Sequence, residues 1–279
     1  MLVKLMKYDL RSCLRKFGPL WIAALALSVL IGLSFRFIVD IKTGTLLTFL
    51  LGILPSMALF GLFVAMAVMA LIFVIQRFYR GLLGDEGYLM FTLPASAGAH
   101  IASKGLTALI LEVVSALVAL LSGFLLVAVF RPAGFAEGWT EFWRMLGQLD
   151  LPAGFPWLIV EGIFLSLVIA AVETLKIYTA ISIGHLAKRR RPLWGLLAYF
   201  GIDLALDIFF GVSVSSGLVD RILNSGLVTA LFPDSGAITF SAVETAAGAM
   251  GAAILWELLL GAGFFFLTRY ILKKRLNLY

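Results

Sequence analysis

Long apolar runs separated by short polar stretches repeat along the whole chain. Six of these runs are long enough to cross a membrane, because about 20 apolar residues in a helix span a hydrocarbon core of about 30 Å. They lie at residues 19–39, 48–75, 105–130, 157–183, 193–219 and 246–270. The pattern therefore predicts an all-α integral membrane protein with six transmembrane helices, in which residues 1–279 form a single transmembrane domain. Pro55 predicts a kink inside the second span.

The first 17 residues follow a different pattern, in which apolar and basic positions occupy opposite faces of one helix. The apolar positions are Leu2, Leu5, Met6, Leu10, Cys13, Leu14 and Phe17. The basic positions are Lys4, Lys7, Arg11 and Arg15. Such a helix lies along a membrane surface with its cations toward anionic headgroups. We therefore predict an amphipathic interfacial helix over residues 1–17, then a bend, and a new helix whose first turn contains Pro19.

The composition and the distribution of basic residues support this class and give it an orientation. The chain is 62% hydrophobic and 14% charged, with a mean hydropathy of +1.05, whereas a soluble domain is about 45–50% apolar and about 25% charged. Most of the 22 lysines and arginines fall at the two termini and in residues 76–104 and 184–192. Basic residues accumulate in cytoplasmic loops, so we expect these segments, and both termini, to face the cytoplasm.

Residues 131–156 lie on the opposite side in this topology and mix polar with aromatic positions. The polar and aromatic residues are Glu137, Trp139, Glu141, Trp143 and Arg144. Tryptophan is favoured at the membrane–water interface, so this segment predicts a short helix lying at the far interface.

Catalytic and metal-binding motifs are missing from the sequence. It contains no phosphate-binding loop, no H-E-x-x-H zinc motif and no G-x-S-x-G nucleophile turn. The two histidines, His100 and His185, lie in or beside predicted cytoplasmic loops and are expected to be solvated or interfacial. Cys13 is the one cysteine, which excludes an internal disulfide, and an inert thiol on the apolar helix face is the favoured interpretation. We expect a chain that is not an enzyme and has no catalytic residue, metal or cofactor of its own.

Charged residues inside the predicted spans are the strongest candidates for a function within the membrane. They are Glu112, Glu173, Lys176, Asp203, Asp207 and Glu257. Each charge near the bilayer centre costs at least about 2.5–3.5 kcal/mol, so such groups usually face the bundle interior or a wet cavity. Glu173 and Lys176 are spaced to form an ion pair, and Asp203 and Asp207 share a helix face. These groups either hold helices together or line a translocation path, and the sequence leaves both interpretations open.

Small residues recur where helices are able to approach closely. They lie at Gly248–Ala252, at Gly261–Gly263 and at Ala102–Gly105. Such clusters predict helix–helix contact surfaces in a packed bundle or a dimer.

The polar segment 76–104 is the longest interruption on the predicted cytoplasmic side. We expect it to lie in water or against another protein, because it combines Arg77, Arg80, Asp85, Glu86 and Lys104 with several glycines. The two acids suit basic side chains of a partner, and Tyr88, Met90 and Phe91 offer an apolar contact. The alternative is that the aromatic part packs against headgroups while the acids cap a short helix.

The N-terminal sequence is MLVKLMKYDLRSCLRKFGPLW. The second span is followed by RFYRGLLGDEGYLMFTLPAS, and a lysine precedes the third span. Together these features resemble the ABC-2 type permeases of bacterial ABC exporters, particularly those of Gram-positive anaerobes such as clostridia. The match is most specific at residues 84–94. Beyond that segment and the surface helix, it extends to the whole chain only as a six-span topology.

The resemblance implies a permease in the bacterial plasma membrane that pairs with a second copy or a paralogue. It further implies a separate ABC ATPase, which binds ATP and Mg²⁺ and drives export. A coupling helix between the second and third spans would dock into that ATPase, and it corresponds here to about residues 79–93. The docking residues would be Tyr79, Arg80, Asp85, Glu86, Gly87, Tyr88 and Phe91.

Two other functions are compatible with the same residues. An ion-coupled secondary transporter would use Asp203, Asp207 and Glu257 inside the membrane, although the sequence shows no inverted repeat. A membrane scaffold or sensor would transport nothing, and its intramembrane charges would be structural.

Overall fold

The computed structural model of the chain describes residues 2–41, 46, 49–83, 96–130, 135–148, 154–187, 189–215 and 242–274. Across these residues the secondary structure is helical, with no strand. The helices are α1 (Leu2–Ile41), α2 (Leu54–Phe78), α3 (Ala97–Phe130), α4 (Phe135–Gln148), α5 (Phe155–His185), α6 (Arg191–Ser215) and α7 (Ala242–Lys274). Two π-helical turns, Phe49–Ile53 and Tyr79–Leu83, flank α2.

Among the described residues, six helical stretches are long and apolar enough to cross a membrane, which confirms the prediction of an all-α multi-pass membrane protein. They are Leu5–Ile38, Leu50–Leu83, Ala97–Phe130, Phe155–His185, Arg191–Val212 and Ala246–Lys274. Several extend beyond the predicted apolar runs, and α3 begins eight residues before the predicted start at residue 105. Helical hydrogen bonding continues into polar sequence, whereas the prediction followed the apolar run alone.

The prediction that a new helix begins at Pro19 is wrong, because α1 is continuous from Leu2 to Ile41 and contains Pro19 in its interior. A proline there removes one backbone hydrogen bond and costs about 3 kcal/mol in an isolated helix. Packing on both sides of the proline offsets this cost. Cys13 and Phe17 before it, and Trp21 after it, belong to one hydrophobic core.

Pro55 lies in the first turn of α2, directly after the π-helical turn Phe49–Ile53. The interruption predicted at this proline therefore takes the form of a widened helical turn, a common response to a missing backbone donor. The Ser56 hydroxyl donates to the Gly52 carbonyl at 2.7 Å and so provides a donor where the helical ladder is irregular.

The helices pack into two compact units, the first of which is Met1–Leu151. In this unit α1 packs along α3, and α2 contacts both helices. Its core contains Cys13, Phe17, Phe73 and Leu111, with the rings of Phe17 and Phe73 edge-to-face at 5.9 Å. The thiol of Cys13 is buried, as the apolar-face interpretation predicted.

Helix α4 belongs to the same unit and carries the residues that predicted a short helix after the third span. Its Trp139 and Trp143 rings lie edge-to-face at 5.6 Å and are exposed. Arg144 pairs with Glu141 on the surface at 2.6 Å. The helix itself is confirmed, and its location at a membrane interface stays a prediction.

The second unit is Pro152–Tyr279, in which α5 packs against both α6 and α7. Gly184 near the end of α5 lies directly against the backbone of Gly195 in α6. The connection between these helices includes Arg190, whose φ of 55° is left-handed. This short connection brings the end of α5 and the start of α6 into contact, and it positions the charged residues described below.

Candidate functional site

The predicted docking residues divide between described and undescribed parts of the chain. Tyr79 and Arg80 lie in the π-helical turn at the end of α2, where Arg80 is exposed and Tyr79 is half-buried. The other five, Asp85, Glu86, Gly87, Tyr88 and Phe91, lie outside the described residues. The structure therefore describes the two ends of the polar segment, which are residues 76–83 and 96–104.

A buried ion pair connects the first of these ends to the N-terminal helix. The guanidinium of Arg77, one residue before the end of α2, pairs with the Asp9 carboxylate of α1. The Asp9 side chain is 8% exposed and that of Arg77 is 29% exposed. A charge removed from water in this way needs its partner, because leaving either charge unpaired is strongly destabilising.

Sequence reasoning missed Asp9, although the helical pattern contains the signal. Asp9 lies four residues before Cys13 and eight before Phe17, so it shares their buried face. An acid on the core-facing side of an otherwise basic and apolar helix needs a cation from a neighbouring helix. Arg77 provides that cation.

The second end of the polar segment is attached to the same arginine. Lys104 of α3 donates from its Nζ atom to the backbone carbonyl of Arg77 at 3.0 Å. We call Asp9, Arg77 and Lys104 the Arg77 cluster. It joins α1, the end of α2 and the start of α3, which are the described parts of the chain on either side of residues 84–95.

Lys104 and His100 are both buried, which corrects the prediction that they lie in water or at an interface. The physical reason is the early start of α3. Ser96 accepts the Ala99 amide at its side-chain oxygen, and the helix then continues through His100 and Lys104. Both residues therefore occupy the packed face of a helix.

A second charged cluster lies within the candidate spans of the second unit. Lys176 of α5 places its Nζ atom 2.7 Å from a carboxylate oxygen of Glu173 and 2.7 Å from one of Asp203 in α6. The predicted pair between Glu173 and Lys176 is thus present. The interhelical partner Asp203 was not foreseen, because no local spacing relates residues 27 positions apart.

Tyr199 completes this Lys176 cluster, which we define as Glu173, Lys176, Tyr199 and Asp203. Its hydroxyl donates to the second oxygen of Glu173 at 3.3 Å, and its ring centroid lies 4.7 Å from the lysine Nζ. The lysine side chain is 7% exposed, whereas those of Glu173 and Asp203 are 46% and 35% exposed. The cluster holds one buried ammonium between two partly exposed carboxylates.

The remaining intramembrane candidates have different surroundings. Glu257 of α7 lies within the range of electrostatic interaction with Glu173 and Lys176. Asp207 is exposed, and among the described residues it has no ion pair or hydrogen bond. The shared face predicted for Asp203 and Asp207 therefore does not give them a shared partner. Glu112 is partly buried in α3 of the first unit.

This arrangement ties α5 to α6 through charge, and it leaves an excess of carboxylates over ammonium groups. These contacts are compatible with both interpretations of the intramembrane charges, helix packing and a translocation path. In the part of the chain that the structure describes, no cluster of three or more His, Cys, Asp or Glu side chains is arranged to hold a metal ion.

The six apolar helices define a polytopic α-helical membrane protein. No protein-family model, curated protein or solved structure matches the chain.

Proposed function

We propose that the chain is the membrane-spanning permease subunit of an ATP-driven ABC exporter of the ABC-2 type. It would lie in a bacterial plasma membrane with both termini in the cytoplasm. Two permease subunits, identical or paralogous, would form the translocation path, and a separate ATPase would drive it. The six candidate spans and the resemblance of residues 84–94 to those permeases support this proposal.

The observation that carries the proposal is the Arg77 cluster at the ends of the polar segment. A segment that transmits movement from an ATPase must be attached firmly to the helices that it moves. Here Arg77 is bound through its side chain to α1 and through its carbonyl to α3. The neighbouring residues Gly81, Leu82 and Leu83 are buried, so this end of the segment is packed against the helices.

The N-terminal part of α1 supports the same arrangement. Lys7, Arg11 and Arg15 are exposed on the side opposite Asp9 and Cys13. We propose that these cations contact anionic headgroups on the cytoplasmic side, which would anchor the N-terminal end of the continuous helix α1 there while Asp9 on its other face pairs with Arg77.

In the proposed complex, the coupling helix of about residues 79–93 docks into the ATPase. Asp85 and Glu86 pair with basic side chains there, and Tyr88 and Phe91 provide the apolar contact, with Tyr79 and Arg80 beside them. A few such residues supply most of the affinity of an interface. The chain itself needs no ATP site, because ATP and Mg²⁺ bind to the partner.

The test is purification of the affinity-tagged chain in mild detergent from its native cells, followed by mass spectrometry and an assay of ATP hydrolysis. A stoichiometric phosphate-loop ATPase that is inhibited by vanadate is the expected result. A chain that elutes alone, folded and without ATPase activity, would refute the proposal.

The docking residues are tested in the same preparation. Asp85→Ala with Glu86→Ala should reduce copurification of the ATPase by about tenfold or more, since interface hot spots cost at least about 2 kcal/mol. The matched control is Glu137→Ala with Glu141→Ala, two acids on α4, which should leave copurification unchanged. Equal copurification of both variants would remove the acids from the docking surface.

An ion-coupled transporter is the second candidate, and the Lys176 cluster favours it. Partly exposed carboxylates within candidate spans are suited to exchange protons or cations. The purified chain alone in proteoliposomes would then move ions down an imposed gradient without ATP, and Asp203→Asn would abolish the flux.

A further inference from the structure

Three helices of the first unit meet at Arg77. Its guanidinium binds Asp9 of α1, and its carbonyl accepts the hydrogen bond from Lys104 of α3. Arg77 belongs to the last turn of α2, and Lys104 to the second turn of α3, so the cluster joins the two helices between which residues 84–95 run.

Burial makes these contacts expensive to break. Asp9 and Lys104 are each almost fully buried, and a charge left in such a place without its partner is strongly destabilising. Gly81 contributes space, because a Cβ atom at this position would overlap the Lys104 ammonium. A side chain at position 81 would therefore make the Lys104 ammonium move away from its present position.

The same face of α1 continues from Asp9 into the hydrophobic core. Cys13 lies one turn further along and packs with Phe17, Phe73 and Leu111. Lys16 adds a further contact between the helices, with its Nζ atom 5.5 Å from the centroid of the Phe73 ring. The Asp9–Arg77 pair therefore lies beside the packed contact between α1 and α2.

We infer that Asp9, Arg77 and Lys104 are positioning residues that transmit movement at the end of α2 and the start of α3 to helix α1. This inference rests on the proposed function, since the ATPase would be the source of the movement. The Arg77 cluster would not bind the ATPase itself. It would make α1, α2 and α3 respond together when the docked segment is displaced.

Cys13 is the chain's single cysteine and reports on this contact without any added probe. The first experiment measures its rate of reaction with N-ethylmaleimide in the purified full-length chain. Asp9→Asn should raise the rate by about tenfold, because loss of a buried ion pair favours local opening. Arg11→Gln, an exposed charge change half a turn away, is the control and should leave the rate unchanged.

Two further variants keep this experiment decisive. Asp9→Arg with Arg77→Asp exchanges the charges and should return the rate toward that of the wild type. If Asp9→Asn does not yield folded protein, Gly81→Ala displaces Lys104 while all three charges remain, and it should also accelerate labelling. A wild-type rate in both Asp9→Asn and Gly81→Ala would overturn the inference.

The second experiment measures transmission in the complex with its ATPase, reconstituted in nanodiscs. In the wild type, trapping with ATP and vanadate should change Cys13 labelling by about threefold or more relative to the nucleotide-free complex, as expected for a shift in local opening. In Asp9→Asn the ATPase should still copurify and hydrolyse ATP, but this nucleotide-dependent change should be lost.

The outcomes separate the two proposals. A nucleotide-dependent change that persists in Asp9→Asn would overturn the transmission role, even if basal labelling is faster. A wild-type chain that copurifies with no ATPase would overturn the proposed function and the transmission role with it, whereas the labelling rates of the isolated chain would still show whether the Arg77 cluster holds α1 in place.

Discussion

The hydroxyl oxygens of Thr179 on α5 and Thr268 on α7 lie 2.9 Å apart, and neither residue is exposed. Thr179 also contacts the Phe264 carbonyl of α7 at 3.2 Å and the Leu175 carbonyl of its own helix at 2.9 Å. Two hydroxyls thus join two apolar helices at a buried point. In a membrane, where apolar side chains gain little by leaving lipid, such contacts give a helix pair its specificity.

Removing this hydroxyl should weaken the second unit measurably. Thr179→Val keeps the side-chain shape and should lower the free energy of unfolding by about 0.5–1.5 kcal/mol, the range of interhelical hydrogen bonds in membranes. The measurement is an SDS titration followed by circular dichroism. Thr174→Val is the matched control, since the buried Thr174 hydroxyl donates to the Ala170 carbonyl of its own helix. An equal loss in both variants would contradict an interhelical role.

The charge of Lys176 should stabilise the second unit. Lys176→Met leaves the carboxylates of Glu173 and Asp203 without their shared ammonium, so it should destabilise the second unit. We expect about 1–3 kcal/mol, less than a fully buried pair would lose, because both carboxylates are partly exposed. The free energy of unfolding in SDS is again the measurement.

A double variant separates charge from packing in this cluster. Lys176→Met with Asp203→Asn removes one of the two repelling carboxylates and should be more stable than Lys176→Met alone. The control is Asp207→Asn, at an exposed position on α6, the helix of Asp203. It should change the free energy of unfolding by less than about 0.5 kcal/mol. If the double variant is no more stable than the single one, then the lysine acts through its packing.

Two glycines on α5 should respond in opposite directions to the same substitution. At Gly184 a Cβ atom would overlap the Gly195 backbone and lie 2.9 Å from the Arg191 carbonyl, so Gly184→Ala must displace backbone. We expect a loss of about 1–3 kcal/mol. At Gly162 a Cβ atom would meet no other helix within 4 Å in the described part of the chain, so Gly162→Ala should be neutral or gain up to about 1 kcal/mol from helix propensity. Thermal unfolding of the two variants tests the difference.

Glycine spacing alone did not predict these contacts. Of the clusters that the sequence suggested, Gly261 lies against Val172, where a Cβ atom would be 3.0 Å from a methyl carbon. At Gly248, Gly251, Gly263 and Gly105, a Cβ atom would meet no other helix within 4 Å among the described residues. The close approach of Gly184 to Gly195 depends on the short connection between α5 and α6, which a search for small residues within one helix does not detect.

The spans were predictable because hydrophobic length is a local property of the sequence. The continuity of α1 through Pro19 was not, because it depends on the packing of Phe17 and Trp21 against other helices. The Glu173–Lys176 pair follows from helical spacing, whereas Asp9–Arg77 and Lys176–Asp203 join distant positions. Which distant charges pair depends on which helices are in contact. A single sequence shows that a charge inside a span needs a partner, but it does not identify that partner.

The proposed orientation predicts opposite labelling of two exposed arginines. In a Cys13→Ser background, Arg144→Cys on α4 and Arg189→Cys, between α5 and α6, each introduce one exposed thiol. A membrane-impermeant maleimide applied to intact cells should label Arg144→Cys, because α4 would face outward. It should label Arg189→Cys only after permeabilisation, because three of the four basic residues at positions 188–191 remain to hold that connection in the cytoplasm.

The Cys13→Ser chain without an added cysteine is the control and should remain unlabelled under both conditions. The reverse pattern would place the termini and segment 76–104 outside the cell, where no ATP-driven partner operates, and would exclude the exporter proposal. Labelling of neither site before permeabilisation and both sites afterwards would place α4 on the same side as the basic segment. That result would mean that α5 does not cross the membrane, although it is long enough to span.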